Sequence, residues 1–218
     1  MKSYKLKLKE WYDQTAERYD SWGDREGEYS SESKPVEIIS FNQLLDRIEI
    51  KNNAKILDIA TGTGIYLLEV LKRGGIGYGI DISSKMIDQL KRKIELLGLK
   101  NRIRKIITGD AEKLNFVDNF FDIIICIGMF DYYSLAQSKV FLNEMKRVLK
   151  RSGKIILDFP NKNNKEVYEF QKKERSVDHE VFIYEKAKLI KFLEENNFKI
   201  LQSQEAGIEI QFILEIKK

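Results

Sequence analysis

The stretch Lys55 to Leu67, KILDIATGTGIYL, sets an acid and two glycines at a spacing that can hold a small anionic ligand. Asp58 closes an apolar run, Gly62 and Gly64 follow, and Ile65, Leu67, Leu68 and Leu71 recur at helical spacing. That order predicts a buried strand, a tight glycine turn and the start of a helix. Glycine lets the backbone take positive φ and leaves no Cβ between the main chain and a ligand. The helix N-terminus adds free N–H groups and a dipole that favour a carboxylate or phosphate. Asp81 ends the next apolar run, IGYGID, where an acid can accept both hydroxyls of a ribose, in an adenosine group or in a dinucleotide. Asp131 follows the run FDIIICIGMF and reads either as a general base or as the cap of the next helix. His179 is the only histidine; its near-neutral titration suits a general base, against the alternative of a surface histidine with no role.

These groups need elements to position them. Residues 5–20 predict a short helix with Trp11, Tyr12 and Tyr19 near one face, and residues 21–34 a polar loop, either a lid or disordered. A helix is expected from Pro35 to Ile48 with Phe41, Leu44, Leu45 and Ile48 as its apolar stripe. Ser83 or Ser84 caps a helix that turns Met86, Ile87, Leu90, Ile94 and Leu97 inward. RIRKIITGD makes a third strand, and Phe120 to Ile127, almost continuously apolar, a central parallel one. A helix follows from Leu135 to Leu149, then a turn at Lys150–Gly153 into a fifth strand, KIILDFP. Asn161 to Val177 reads as a loop with an irregular helix, and Lys186–Asn196 as a helix. FKILQSQEA and EIQFILEIK alternate around Gly207 as an antiparallel hairpin.

The chain has 218 residues with 43% hydrophobic content, enough for one domain with a substantial core. Within it, residues 1–50 read as a helical cap or lid, 51–160 as a cofactor-binding core and 161–218 as a substrate-side segment with the hairpin. The net charge of +4 arises from 33% charged residues of both signs, a mixed surface rather than one built for a polyanion. Lys91 to Lys105 holds seven basic residues, but Glu95 interrupts them and they spread over helix, loop and strand, so a solvated face is expected and nucleic acid is disfavoured. The single cysteine, Cys126, excludes a disulfide framework and CxxC metal clusters, and no metal is expected. No apolar run approaches a membrane span and the N-terminus has no signal-peptide core, so a cytoplasmic monomer or homodimer is expected.

A dinucleotide fingerprint would need a third glycine where Leu67 stands. The stretch resembles instead the first motif of class I S-adenosylmethionine-dependent methyltransferases, an acid, three residues and G-x-G, with Ala60 and Thr61 where many members carry Gly and Cys. The segment WYDQTAERYDSW resembles the family's N-terminal helix, Gly109-Asp110-Ala111 its motif after the third strand, and Lys150–Gly153 its turn into the fifth. The resemblance implies an α/β fold: a Rossmann-like, seven-stranded, mostly parallel sheet with helices on both faces and a C-terminal antiparallel hairpin. It implies S-adenosyl-L-methionine as cofactor, leaving S-adenosyl-L-homocysteine. Asp58, Ala60, Thr61, Gly62 and Gly64 would form the loop, Asp81 and Ile82 would face the ribose, and Met86, Asp110, Ala111 and Glu112 the adenine. Tyr19, Ile127 and Gly128 would face the methionine end. Ile127-Gly128-Met129-Phe130 lacks the proline pair of base amino-methyltransferases, and Cys126 lacks the proline of cytosine-C5 enzymes. The expected activity is methyl transfer to an O, N or C atom of a small-molecule acceptor. An RNA or protein methyltransferase and a non-catalytic cofactor-binding module are the alternatives.

Overall fold

The computed structural model describes residues 2–25 and 36–217. The expected lid loop therefore lies mostly outside the described residues. The seven strands form a mixed sheet, running β3-β2-β1 in a first compact unit, Met1–Ala111, and β4-β5-β7-β6 in a second, Glu112–Lys218.

In the first unit, helix α1 (Lys2–Thr15) leads into a 3-10 helix over Ala16–Arg25, and α2 spans Val36–Leu45. Strands β1 (Lys55–Ile59), β2 (Ile76–Asp81) and β3 (Ile103–Thr108) pair in parallel. Helices α3 (Ile65–Lys72) and α4 (Ser84–Leu96) make the crossovers. Leu67, Leu68, Leu71, Leu90 and Ile94 of these two helices form one buried cluster. Burying each such side chain is worth about 1.5–3 kcal/mol, which holds the helices to the sheet. The Ser83 hydroxyl accepts from the Met86 N–H and starts α4 as an N-cap. Leu97, expected on the inward face, is instead 56% exposed, because α4 has already ended at Leu96.

The second unit holds β4 (Phe121–Cys126), α5 (Leu135–Val148), β5 (Leu149–Pro160), α6 (Glu166–Ser176), α7 (Lys186–Glu195), β6 (Phe198–Ala206) and β7 (Glu209–Ile216). β4 and β5 are parallel, while β7 lies antiparallel to both β5 and β6, giving the expected hairpin around Gly207. A Ser134–Gln137 capping box opens α5. The turn expected at Lys150–Gly153 is not a break: α5 passes directly into β5, and the chain bulges between the pairs Phe121↔Leu149 and Ile123↔Lys154. A Cβ on Gly153 would stand 2.6 Å from Leu149 Cδ1, so the bulge closes only over a glycine. The stretch expected as loop and irregular helix contains the regular helix α6.

Candidate active site

In the first unit, the glycine loop is tied to the ends of β1 and β2. The Thr61 hydroxyl donates to Asp58 Oδ2 at 2.7 Å, and the Thr61 N–H donates to the Ile80 carbonyl at 3.1 Å. Ala60 takes φ 56, a left-handed conformation that costs a side-chain-bearing residue about 1–2 kcal/mol. The two glycines do different work. Gly64, at φ 87, packs against α4, where a Cβ would lie 2.2 Å from Leu90 Cδ1. Gly62, at φ 52, has nothing within 4 Å of where its Cβ would be, so its backbone can be approached closely.

Asp81 is the anchor of this site. Its Oδ2 accepts from the Gly62 N–H and its Oδ1 from the Ser83 N–H, both at 2.8 Å. An ionised carboxylate has about four acceptor positions, so these two bonds do not fill it. Burial pushes Asp81 up to about 6; the Ser83, Gly62 and Ile82 N–H groups oppose the shift and the Asp13 charge adds to it. Burial likewise pushes Asp58 up to about 7; the Thr61 hydroxyl opposes the shift and the Asp81 charge adds to it. Ile82, the residue between Asp81 and Ser83, is half-buried, and Met86 is buried at the start of α4.

Helix α1 and the 3-10 helix reach the same loop and the start of α4. Asp13 accepts from the Ser83 hydroxyl at 2.6 Å and from the Lys85 N–H at 3.2 Å, adding an acceptor to the N-terminus of α4. Asp20 accepts from the Thr63 hydroxyl and pairs with Lys93. Tyr19 packs edge-on against Tyr12, ring centres 6.0 Å apart. Asp110, expected at the adenine edge beside Ala111, has both carboxylate oxygens bound by the buried Lys5 ammonium, at 2.7 and 2.8 Å. The two are over a hundred residues apart, and no local pattern marks Lys5 as the partner.

In the second unit, Gly128 takes φ 74 just past β4, and its N–H donates to Asp158 Oδ1 at 2.8 Å. Ile127 beside it is buried, and Glu112 is half-buried. Asp131 is buried, which together with the nearby Glu174 charge pushes it up to about 7. His179 is not the surface histidine of the bland expectation: it is 2% exposed, and its Nδ1 meets Glu174 Oε2 at 2.7 Å. The Tyr132 hydroxyl donates to the same oxygen at 3.2 Å, and its ring packs edge-on to the imidazole at 5.6 Å. Glu174 thus links the two residues proposed from sequence, Asp131 and His179. Asp158 was legible as an acid within an apolar strand; Glu174, inside a polar helix, carried no such signal.

The motif order, the parallel sheet and its antiparallel end define a class of protein. Residues 57–157 match the methyltransferase-domain family, and over that stretch the chain is similar to the class I S-adenosylmethionine-dependent methyltransferases. It is 30% identical over 132 residues to the ubiquinone/menaquinone biosynthesis C-methyltransferase of Roseobacter denitrificans, covering 58% of this chain and 52% of that one. It is 36% identical over 112 residues to the demethylmenaquinone methyltransferase of Bacillus mycoides, covering 50% and 46%. The chain therefore spans about half the length of the curated relatives it matches. The same fold is seen in the magnesium protoporphyrin IX methyltransferase of Synechocystis with bound SAH, with a TM-score of 0.76 at 16% identity over 97% of this chain and 98% of that one.

Proposed function

We propose that this chain transfers a methyl group from S-adenosylmethionine to a small-molecule acceptor. The observation that carries the reading is the Asp81 carboxylate, held by the Gly62 and Ser83 N–H groups with acceptor capacity to spare, beside a glycine whose Cβ position is open. That arrangement fits a ribose diol on Asp81 and close approach of a ligand to the Gly62 backbone. When bound, S-adenosylmethionine supplies a methyl group already activated by its sulfonium. The protein's part is then to hold, align and keep water out, which can contribute about 7–11 kcal/mol where alignment is good.

Ala60, Thr61, Gly62 and Gly64 shape the loop, Asp58 sets it through Thr61, and Asp81 with Ile82 takes the ribose. Met86, Asp110, Ala111 and Glu112 are assigned to the adenine side, Asp110 presenting its carboxylate in the grip of Lys5. Tyr19, Ile127 and Gly128 are assigned to the methionine side. His179 is the proton acceptor: its carboxylate partner Glu174 makes Nδ1 the donor and leaves Nε2 as the basic nitrogen. Asp131 belongs to the same acceptor-side group. The names of the relatives, methyltransferases of quinone biosynthesis, support a small molecule with a carbon acceptor. The basic run from Lys91 to Lys105 supports no nucleic-acid partner, since Lys93 pairs with Asp20, Lys100 with Glu95, and Arg102 with Asn52 and the Gly74 carbonyl. Among the described residues no helix is long and apolar enough to cross a membrane.

Calorimetric titration with S-adenosylmethionine and, separately, with NAD tests the reading. Micromolar binding of the first alone, lost in Asp81→Ala, is the expected result. Binding of NAD alone, or of neither, overturns it.

A further inference from the structure

Three carboxylates of the second unit converge without being neighbours in sequence. Asp131 lies just beyond β4, Asp158 near the end of β5 and Glu209 at the start of β7. Asp158 is directly opposite Gln211 and Glu209 opposite Pro160, so Asp158 and Glu209 are diagonal neighbours on one face of the β5–β7 ladder. The Gly128 N–H bond to Asp158 ties the end of β4 to the same place. One oxygen from each acid lies within 4.8 Å of the other two, and the residues are 5%, 1% and 5% exposed. An independent observation points to a ligand: Asp131 Oδ1 is buried with no hydrogen-bond partner among the described residues. An unmet acceptor of this kind is costly inside a protein, and charged carboxylates at this separation repel one another.

We propose that Asp131, Asp158 and Glu209 bind a hard divalent cation. Oxygen is the ligand that calcium, manganese and magnesium prefer, and a single cation between the acids both satisfies Asp131 Oδ1 and offsets their mutual repulsion. Two oxygens on one ion can be at most twice the metal–oxygen distance apart. That limit is about 4.6–5.2 Å for calcium and about 4.0–4.2 Å for magnesium. The 4.8 Å bound on the spread lies within the calcium range and above the magnesium one, which favours the larger ion. Three protein oxygens fill about half of a shell of six to eight, the remainder being left to water or other oxygen ligands.

The site is tested on the full chain, stripped with EDTA, exchanged into chelator-free buffer and kept without S-adenosylmethionine, so that the outcome is separate from the methyl-transfer reading. Calcium, manganese and magnesium chlorides are titrated in turn by calorimetry. One saturable equivalent is expected for at least one of them, calcium binding more tightly than magnesium. Glu209→Gln and Asp158→Asn, checked for folding by circular dichroism, each weaken it at least tenfold, while the surface variant Asp118→Asn does not. On the unaltered protein, which removes any question of misfolded variants, bound manganese broadens the methyl resonances of Ile127, Met129 and Ile210 before others. No binding of any of the three up to about 10 mM, ten times the weakest range of natural calcium sites, overturns the proposal. So does binding that survives both substitutions, or broadening centred elsewhere.

Discussion

The Gly62 N–H donates to Asp81 Oδ2 at 2.8 Å across 19 residues of chain. This one bond joins the turn after β1 to the end of β2. The loop and the acid that would face the same ligand are therefore set by each other before any ligand arrives.

Asp81→Asn separates binding from stability. The amide keeps the shape but loses the charge, and hydrogen bonds to a charged group are worth about 1.5–3 kcal/mol. Affinity for S-adenosylmethionine should fall by roughly 10- to 150-fold in calorimetry. Thermal denaturation at pH 8 should show no comparable loss, because the ionised carboxylate is itself disfavoured by burial. A variant that melts well below the parent would show the carboxylate to be structural.

The two raised acids give stability a pH dependence of known sign. Asp58 at about 7 and Asp81 at about 6 both lie above the ordinary 3.8, so the folded state binds more protons than the unfolded one between those values. Their contribution is neutral below about pH 4, and stability falls as pH rises until Asp58 has ionised, at about 7. Asp58→Asn should flatten the decline in denaturant midpoint between about pH 5 and 7. Cofactor affinity runs the other way, rising with pH through about 6 as Asp81 becomes the charged acceptor.

Gly62→Ala and Gly64→Ala should fail differently. Gly64→Ala combines a left-handed φ with a Cβ driven into Leu90, and should lose roughly 2–5 kcal/mol in chemical denaturation. Gly62→Ala meets no atom and should lose only about 1–2 kcal/mol from its φ, yet bind S-adenosylmethionine at least tenfold more weakly. Equal stability losses in the two variants would refute the division of labour.

Asp13→Ala should loosen α1 from α4. Asp13 takes the Ser83 hydroxyl and the Lys85 N–H, and a lost cap costs about 0.5–2 kcal/mol. Hydrogen exchange at the first turn of α4 should accelerate by roughly two- to thirty-fold. Exchange there at the parental rate would show that Ser83 alone suffices.

The parts whose cause is local are legible in the chain. A buried β1 ending in an acid, a turn that only glycine tolerates at Gly64, the strand-end Asp81, the Ser83 cap and the alternation of the final hairpin are written in spacing and backbone preference. They could be read in chain order, down to the loop that would hold the cofactor. The same local signals overran Leu97 and expected a turn at Lys150–Gly153, because helix ends and bulges are settled by neighbours in space. Which distant groups meet is settled by the folded arrangement. Lys5 occupies Asp110, Glu174 buries and orients His179, and Asp131, Asp158 and Glu209 come within 4.8 Å. Strand register and helix docking bring these charges together from segments with no common pattern, and at His179 and the three acids burial removes the water that would have screened them.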